Sequence, residues 1–138
     1  MTLNTSNLLI VPETTLSSTS VKIGIDLVYV DDLRDFVEDP VDILLTKREW
    51  LNIANSGNLI QRLAGRFSAK EAIVKALGRG IDEIELIDIE IDNDSFGRPL
   101  VTLKNSAFRC WQQMHFSQLD ISISHHKNYA ISVAIAMK

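Results

Sequence analysis

Two carboxylates stand at positions where the surrounding pattern calls for apolar side chains. Asp26 lies in an alternating apolar segment, and Glu71 falls on the apolar stripe of a helical segment, four residues after Phe67 and three before Val74. An ionised carboxylate buried without a partner is costly, so such a group usually has a cation, amides or a metal beside it. A simpler interpretation also remains, in which Glu71 forms a surface ion pair with Lys75, worth about 0.3–0.5 kcal/mol.

The residues around these carboxylates favour a magnesium site next to a phosphorylated ligand. No histidine or cysteine lies near Asp26 or Glu71 in the sequence. Mg²⁺ is a hard ion that typically binds one or two protein carboxylates and completes its octahedron with water and phosphate oxygens. Four cations surround Glu71 on its helix and the turn after it and suit a phosphorylated ligand, namely Arg66, Lys70, Lys75 and Arg79. The alternative for each cation is a solvated helix face.

Other arrangements that could carry chemistry are weaker. The chain contains no GxxxxGK[ST] segment and no GxGxxG after a strand, which excludes a P-loop and a Rossmann phosphate site. Cys110 lies on an apolar helix face and is interpreted as a core residue, and His115 is interpreted as a helix-end contact. Ser122, His125 and Asp120 could be drawn as a catalytic triad, but no nucleophile elbow accompanies them.

The overall composition indicates one globular domain in a reducing compartment. The chain has 138 residues, a net charge of −4, 46% hydrophobic residues and a single cysteine. This length suits one core, and one cysteine excludes an internal disulfide. The acidic balance provides no global case for nucleic acid or an anionic membrane surface, and no apolar run reaches the roughly 18 residues of a membrane span. We therefore predict a soluble, cytoplasmic protein.

The chain divides into an N-terminal arm, residues 1–20, and a single domain, residues 21–138. The arm is rich in Ser and Thr and is interrupted by Pro12, which predicts a flexible terminus. The alternative is an edge strand that packs on a neighbouring subunit through Leu8–Val11.

Hydrophobic periodicity predicts an α+β fold, an antiparallel sheet with helices packed on it. The strands are predicted at Val21–Leu27, Ile84–Ile91, Leu100–Lys104, Leu119–Ser124 and Tyr129–Met137. Helices are predicted after Asp31-Asp32, after Asp39-Pro40, after a capping box at Thr46–Glu49, at Leu59–Leu77 and at Ser106–Met114. Gly78 is the expected C-terminal stop of the longest helix.

Two segments, in this order, resemble motifs of the phosphopantetheinyl transferases, specifically the short holo-[acyl-carrier-protein] synthase type. The first is the strand Ile23-Gly24-Ile25-Asp26-Leu27, and the second is Arg66–Ala76, with its Lys-Glu pair followed by Lys75. Weaker matches are Leu45–Glu49, Gly97-Arg98-Pro99 and Ile121–His125. The resemblance covers about residues 21–138.

The resemblance implies a 4′-phosphopantetheinyl transferase-like fold and a specific reaction. The 4′-phosphopantetheine arm of coenzyme A would pass to a serine of an acyl or peptidyl carrier protein, with release of adenosine 3′,5′-bisphosphate, as in fatty acid biosynthesis. Mg²⁺ would be the cofactor, held by Asp26 and Glu71, and Glu71 and Lys75 would be catalytic. The base that takes the serine proton would be either a water activated at the metal or a carboxylate, with Glu71 the better candidate.

The same resemblance implies how coenzyme A is held and how subunits assemble. The coenzyme A contacts would come from Arg66, Lys70, Lys75 and His125. Short-type members form homotrimers with each site in a cleft between subunits, so Asp26, Glu71 and His125 need not come from one chain.

The sequence also departs from the family pattern. Asp31-Asp32 occupies the stretch where the family has a basic residue that docks the acidic carrier protein, and Arg34 is the nearest cation. Val28 or Tyr29 replaces the acid usually found shortly after the strand aspartate, and Asp120 stands where a histidine is common. We therefore expect a specialised carrier, docked through Lys47 and Arg48 or through another face. A non-catalytic member that binds coenzyme A or a carrier protein is the alternative, followed by a structural trimer without a small ligand.

Overall fold

The computed structural model describes residues 20–80 and 82–138, which form an α+β fold. The antiparallel sheet with helices packed on it is confirmed. The predicted N-terminal arm falls almost wholly on residues 1–19, outside the described residues. Among the described residues, no helix has the length and apolarity needed to cross a membrane. The cytoplasmic location stays a prediction.

A three-stranded sheet forms the base of the domain. It consists of β1 (Val21–Tyr29), β4 (Gln118–His126) and β5 (Tyr129–Met137), in the spatial order β1-β5-β4. On one face of the central strand β5, every side chain is small and buried: Ala130, Ser132, Ala134 and Ala136. A helix can therefore approach this face closely.

The long helix α2 (Leu59–Ala76) packs on this face. Gly24 of β1 permits the close approach, since a Cβ at that position would lie 1.8 Å from the main-chain oxygen of Ala72. The Ser68 hydroxyl donates to the main-chain oxygen of Asp26 over 3.1 Å, which links helix and strand at the first predicted motif. Gly78, with φ of 69°, follows the helix in the left-handed conformation that the sequence predicted.

The remaining elements pack around α2 and beside the sheet. They are a 3-10 helix at Val30–Phe36, α1 (Lys47–Ile53), a 3-10 helix at Leu86–Asp88, the hairpin of β2 (Ile89–Asn93) and β3 (Pro99–Leu103), and α3 (Asn105–Gln113). The capping box of α1 is confirmed. The Thr46 hydroxyl accepts from the Glu49 amide at 3.2 Å, and the Glu49 carboxylate accepts from the Thr46 amide at 2.8 Å.

Two sequence predictions are wrong in detail. The strand expected at Ile84–Ile91 begins only at Ile89, because the preceding 3-10 turn directs the Asp88 carboxylate to the start of α3, where it accepts from the Ser106 amide at 3.0 Å and hydroxyl at 2.6 Å. No helix follows Asp39-Pro40. The chain turns instead, and an isolated bridge pairs Val41 with Leu45.

The alternation predicted for β1 is present, but its apolar side faces away from α2. Gly24, Asp26 and Val28 point toward the helix, while Val21, Ile23, Ile25 and Leu27 are 51–65% exposed. We call these four exposed residues the outer apolar row. Asp26 is thus partly buried beneath α2, between two positions that the helix covers.

Candidate active site

Asp26 and Glu71 line one cavity of about 440 Å³, which we call the acid cavity. It lies between β1, α2 and the 3-10 helix Val30–Phe36. Its other walls are mainly apolar and include Tyr29, Phe36 and Phe67, with Asp32 as a further acid. The fold therefore brings the two carboxylates that the sequence singled out to the same cavity.

Lys75 binds one oxygen of Asp26 and leaves the other without a partner. The Lys75 ammonium donates to Asp26 Oδ1 at 2.9 Å and to the main-chain oxygen of Ile25 at 3.0 Å. Asp26 Oδ2 is buried and has no hydrogen-bond partner among the described residues. A buried polar atom without a partner is destabilising, and a cation would satisfy it. Lys75 therefore forms its ion pair with Asp26, and not with Glu71 as the simpler interpretation predicted.

The electrostatics of Glu71 also favour a cation in the acid cavity. Burial raises the pKa of the Glu71 carboxyl above its usual value, and the Asp26 carboxylate raises it further, while Lys75 opposes both effects. A metal ion would relieve the repulsion between these two carboxylates. In residues 20–80 and 82–138 no group of three or more His, Cys, Asp and Glu could hold a metal. Two carboxylates are nevertheless the usual protein contribution to a Mg²⁺ site.

Arg66 and His125 line a second cavity, of about 190 Å³, which we call the arginine cavity. Arg66 is buried, and its Nη2 donates to Asn93 Oδ1, while its Nε has no partner in the described part of the chain. Burial lowers the pKa of the Arg66 guanidinium, and the Glu49 carboxylate opposes that shift. Because Arg62 lines the same cavity, an anion would satisfy the unused donors.

His125 reaches the arginine cavity by crossing α2 at a glycine. Its Nε2 lies 2.9 Å from the main-chain oxygen of Gln61, and a carbonyl can only accept, so Nε2 carries the proton. A Cβ on Gly65 would lie 2.7 Å from that nitrogen. Strand alternation directs Asp120 and Ser122 to the other face of β4, so no triad with His125 assembles.

The structure gives Lys70 a different role from the predicted coenzyme A contact. Its ammonium is fully buried and donates to Glu49 Oε2 at 2.7 Å, to the main-chain oxygen of Leu44 at 2.7 Å and to that of Leu86 at 3.1 Å. Burial lowers the pKa of Lys70, and the Glu49 charge opposes that shift. All three N–H donors are used internally, so none remains for coenzyme A, and Lys70 is a structural cation.

The two cavities lie toward opposite edges of the sheet. Asp26 belongs to β1 and His125 to β4, and β5 separates these strands, so their backbones are about 10 Å apart. One chain thus groups Asp26, Glu71 and Lys75 in one place, and Arg66 and His125 in another.

Sequence reasoning missed two residues of the arginine cavity. Arg62 could have been found, because it precedes Arg66 by four residues and therefore shares its helix face. Asn93 carried no signal, since only the folded β2–β3 hairpin brings it to Arg66.

Comparisons with known proteins identify the family of the chain. The family model described as "4'-phosphopantetheinyl transferase superfamily" matches residues 22–134. The holo-[acyl-carrier-protein] synthase of Alkaliphilus oremlandii is 40% identical over 118 residues, which are 83% of this chain and 97% of the relative.

Solved structures show the same fold. A holo-(acyl-carrier-protein) synthase from Bacillus anthracis in complex with CoA (3′,5′-ADP) has a TM-score of 0.71 at 29% identity, covering 85% of this chain and 96% of that one. The Helicobacter pylori enzyme in complex with coenzyme A has a TM-score of 0.70 at 29% identity, covering 83% and 98%. The match of the family model to residues 22–134, most of the chain, shows that this chain belongs to the 4′-phosphopantetheinyl transferase superfamily.

Proposed function

We propose that this chain is a holo-[acyl-carrier-protein] synthase in which Asp26 and Glu71 hold a Mg²⁺ ion. It transfers the 4′-phosphopantetheine group of coenzyme A to a serine of an apo acyl carrier protein, and adenosine 3′,5′-bisphosphate is released. The holo-[acyl-carrier-protein] synthase relatives and the neighbours with coenzyme A bound support the reaction. The observation that carries the metal site is Asp26 Oδ2, which is buried without a partner in the described part of the chain and lies in the same cavity as Glu71.

The acid cavity supplies groups suited to phosphoryl transfer. A bound Mg²⁺ would neutralise charge on the pyrophosphate of coenzyme A as the bond to the leaving group breaks. Lys75 is half exposed, so its ammonium can turn from Asp26 to the phosphate oxygens and stabilise the leaving bisphosphate. Glu71 is our candidate to accept the serine proton, because its carboxylate lines the cavity in which the serine would meet the pyrophosphate. A nearby water is the alternative.

The arginine cavity supplies the anion contacts. Coenzyme A carries a 3′-phosphate in addition to its pyrophosphate. We propose that Arg66 and His125 hold this phosphate or the adjoining adenosine, because the adjacent Arg62 and the Nε of Arg66, which has no partner among the residues that the structure describes, leave the cavity cationic. Charge-assisted bonds of this kind are the stronger ones.

The separation of the cavities supports a homotrimer with sites between subunits. The acid cavity of one subunit would face the arginine cavity of its neighbour, so that one coenzyme A molecule contacts both. The outer apolar row, 51–65% exposed in the single chain, supports assembly because contiguous exposed apolar surface usually marks an interface.

The transfer is tested by intact mass. Apo-carrier proteins are incubated with the chain, coenzyme A and Mg²⁺, and a mass gain of one phosphopantetheine is expected. EDTA or Glu71→Ala should abolish the gain, whereas Glu83→Ala, which removes a carboxylate in an exposed pair with Arg79, should leave it unchanged. No gain on any carrier, with coenzyme A still bound, would favour the non-catalytic alternative.

Mixing two inactive variants tests the shared site. Glu71→Ala and Arg66→Ala subunits are combined in equal amounts and allowed to exchange. In random closed trimers, about a quarter of the interfaces would pair an intact acid cavity with an intact arginine cavity, so roughly a quarter of the wild-type rate should return. If both halves came from one chain, no activity would return.

A further inference from the structure

A buried ion pair that the proposed mechanism does not use lies directly behind Glu71. Lys70 and Glu49 are both fully buried, with 2.7 Å between Lys70 Nζ and Glu49 Oε2. Replacing such a pair by apolar residues of similar shape is often neutral or stabilising, so overall stability does not explain its presence. A geometric role is the remaining explanation.

The pair joins four segments of the chain. The Lys70 ammonium donates to the main-chain oxygens of Leu44 and Leu86. The Glu49 carboxylate accepts from the Thr46 amide at 2.8 Å through Oε2 and from the Ile91 amide at 2.9 Å through Oε1. The loop before α1, α1 itself, the Leu86–Asp88 turn and β2 are therefore all connected to α2 at one point.

Two of these segments form walls of a third cavity beside Glu71. This cavity, about 420 Å³ in volume, is lined by Ile43, by Leu86, and by Phe67 and Glu71 of α2. Leu44 directly follows Ile43. By binding the Leu44 and Leu86 carbonyls with one ammonium, Lys70 sets the separation of the two walls.

The pair also fixes the rotation of α2 at Glu71. Successive helical residues point about 100° apart, so Lys70 and Ala72 face nearly opposite sides of the helix. Ala72 packs on Gly24 of the sheet, and Lys70 is anchored to the covering segments. Glu71 lies between these two anchors, on the side of α2 that faces the acid cavity.

We propose that the Lys70–Glu49 pair is a positioning pair for the transfer reaction. It holds α2 at the rotation that directs the Glu71 carboxylate toward Asp26, and it holds the walls of the third cavity apart. This inference rests on the role of Glu71 in the proposed function.

The double variant Glu49→Gln/Lys70→Met tests the proposal. It removes both charges while approximately conserving shape, and the side-chain amide introduced in place of the Glu49 carboxylate retains an oxygen that can accept from the Ile91 amide. We expect a folded protein whose kcat falls about 10- to 100-fold, because small misplacements of catalytic groups have effects of this size. The KM for coenzyme A should rise by no more than the tightening that Mg²⁺ gives the wild-type chain, since Arg66 and His125 are untouched.

Binding provides a measurement that does not depend on turnover. The Kd of coenzyme A is measured by calorimetry in Mg²⁺ and in EDTA. The wild-type chain should bind more tightly in Mg²⁺, and the double variant should lose most of that gain while its Kd in EDTA stays nearly the same. Phe116→Leu is the control for general destabilisation, because Phe116 is buried in the core between α3 and β4, against Trp111, and lines none of the three cavities. It should lower the melting temperature and leave both Kd values unchanged.

Glu49→Asp is the second variant, because it keeps both charges but shortens the carboxylate by one methylene. It should fold and show a smaller loss of kcat in the same direction. Wild-type kcat and wild-type Mg²⁺ dependence in either folded variant would overturn the positioning role. If Glu71→Ala remained active, the proposed metal site itself would be wrong; if it were inactive while these variants behaved as wild type, only the positioning proposal would fail.

Discussion

The acid cavity and the arginine cavity are built from the same helix but are opposite in character. Within residues 20–80 and 82–138, Asp26 gives the first a buried carboxylate oxygen without a partner, while Arg66 gives the second a buried guanidinium nitrogen without one. The first is the larger, at about 440 Å³ against about 190 Å³. Each cavity therefore lacks what the other offers.

This difference explains why one short chain suits a cofactor with two phosphate centres. A pyrophosphate needs a metal held by acids, and a separate phosphate needs cations. If both sets shared one cavity, the carboxylates and guanidinium groups would neutralise each other instead of binding ligand. Separating the two sets on opposite edges of the sheet keeps both available, and a neighbouring subunit can bring them together.

The largest expected effect is a loss of kcat at the acid cavity, which contrasts with a rise in KM at the arginine cavity. Glu71→Gln should lower kcat by about 10³-fold, since a metal ligand contributes several kcal/mol of transition-state stabilisation. Arg66→Gln should instead raise the KM for coenzyme A roughly 10- to 100-fold with a smaller change in kcat. Steady-state kinetics with coenzyme A varied distinguishes the two. A loss of kcat alone in Arg66→Gln would contradict the assignment.

Gly24→Ala should disrupt the acid cavity through the backbone. The new methyl would lie 1.8 Å from the Ala72 carbonyl oxygen, so α2 must move away from β1 and separate Glu71 from Asp26. We expect a destabilisation of about 3 kcal/mol or more, measured by urea unfolding. Gly57→Ala is the matched control, because a Cβ at Gly57 would meet no atom of the described residues within 4 Å. An unchanged midpoint in Gly24→Ala would contradict the close packing.

Gly65→Ala should act on the arginine cavity alone. Its methyl would lie 2.7 Å from His125 Nε2 and 3.2 Å from a side-chain carbon of Ile123, so the histidine must turn away from the cavity. We expect the KM for coenzyme A to rise about 10-fold, the size of losing one charge-assisted hydrogen bond, with kcat nearly unchanged. A fall in kcat without a rise in KM would indicate that His125 acts in the transfer step with the acid cavity, and not in binding coenzyme A.

The smallest expected effect concerns how the carrier approaches the acid cavity. Asp32 lines this cavity, and residues 30–45 carry six acids against the single cation Arg34, itself paired with Asp31. Asp31→Lys/Asp32→Lys should therefore raise kcat/KM for an acidic carrier a few-fold at low salt, and the gain should disappear at high salt because the charges are exposed. A gain that persists in high salt would indicate a contact other than long-range attraction.

The sequence predicts correctly those features that depend on interactions between residues close together in the chain. The Thr46–Glu49 capping box, the glycine stop at Gly78 and the alternation of β1 depend on neighbouring residues, and all three are present. Asp26 and Glu71 were singled out because each breaks the pattern of its own element, and they line one cavity.

The errors come from contacts between distant segments. Lys70 was interpreted as a ligand because it adjoins Glu71 in a basic cluster, and only the folded chain shows Glu49 and two carbonyls around it. The alternation of β1 left open which side of the strand is covered, and α2 packs on the side opposite the apolar residues, where Gly24 allows its approach. Periodicity defines two faces of a strand without stating which one is covered.

The outer apolar row of β1 has a consequence for how the protein responds to dilution. In the proposed trimer the row is covered only by other copies of the chain, so mass action links folding to protein concentration. Tenfold dilution should lower both the midpoint of thermal unfolding and the activity per chain. Ile23→Lys and Ile25→Lys should raise the protein concentration below which the midpoint and the activity fall, without altering a residue of either cavity.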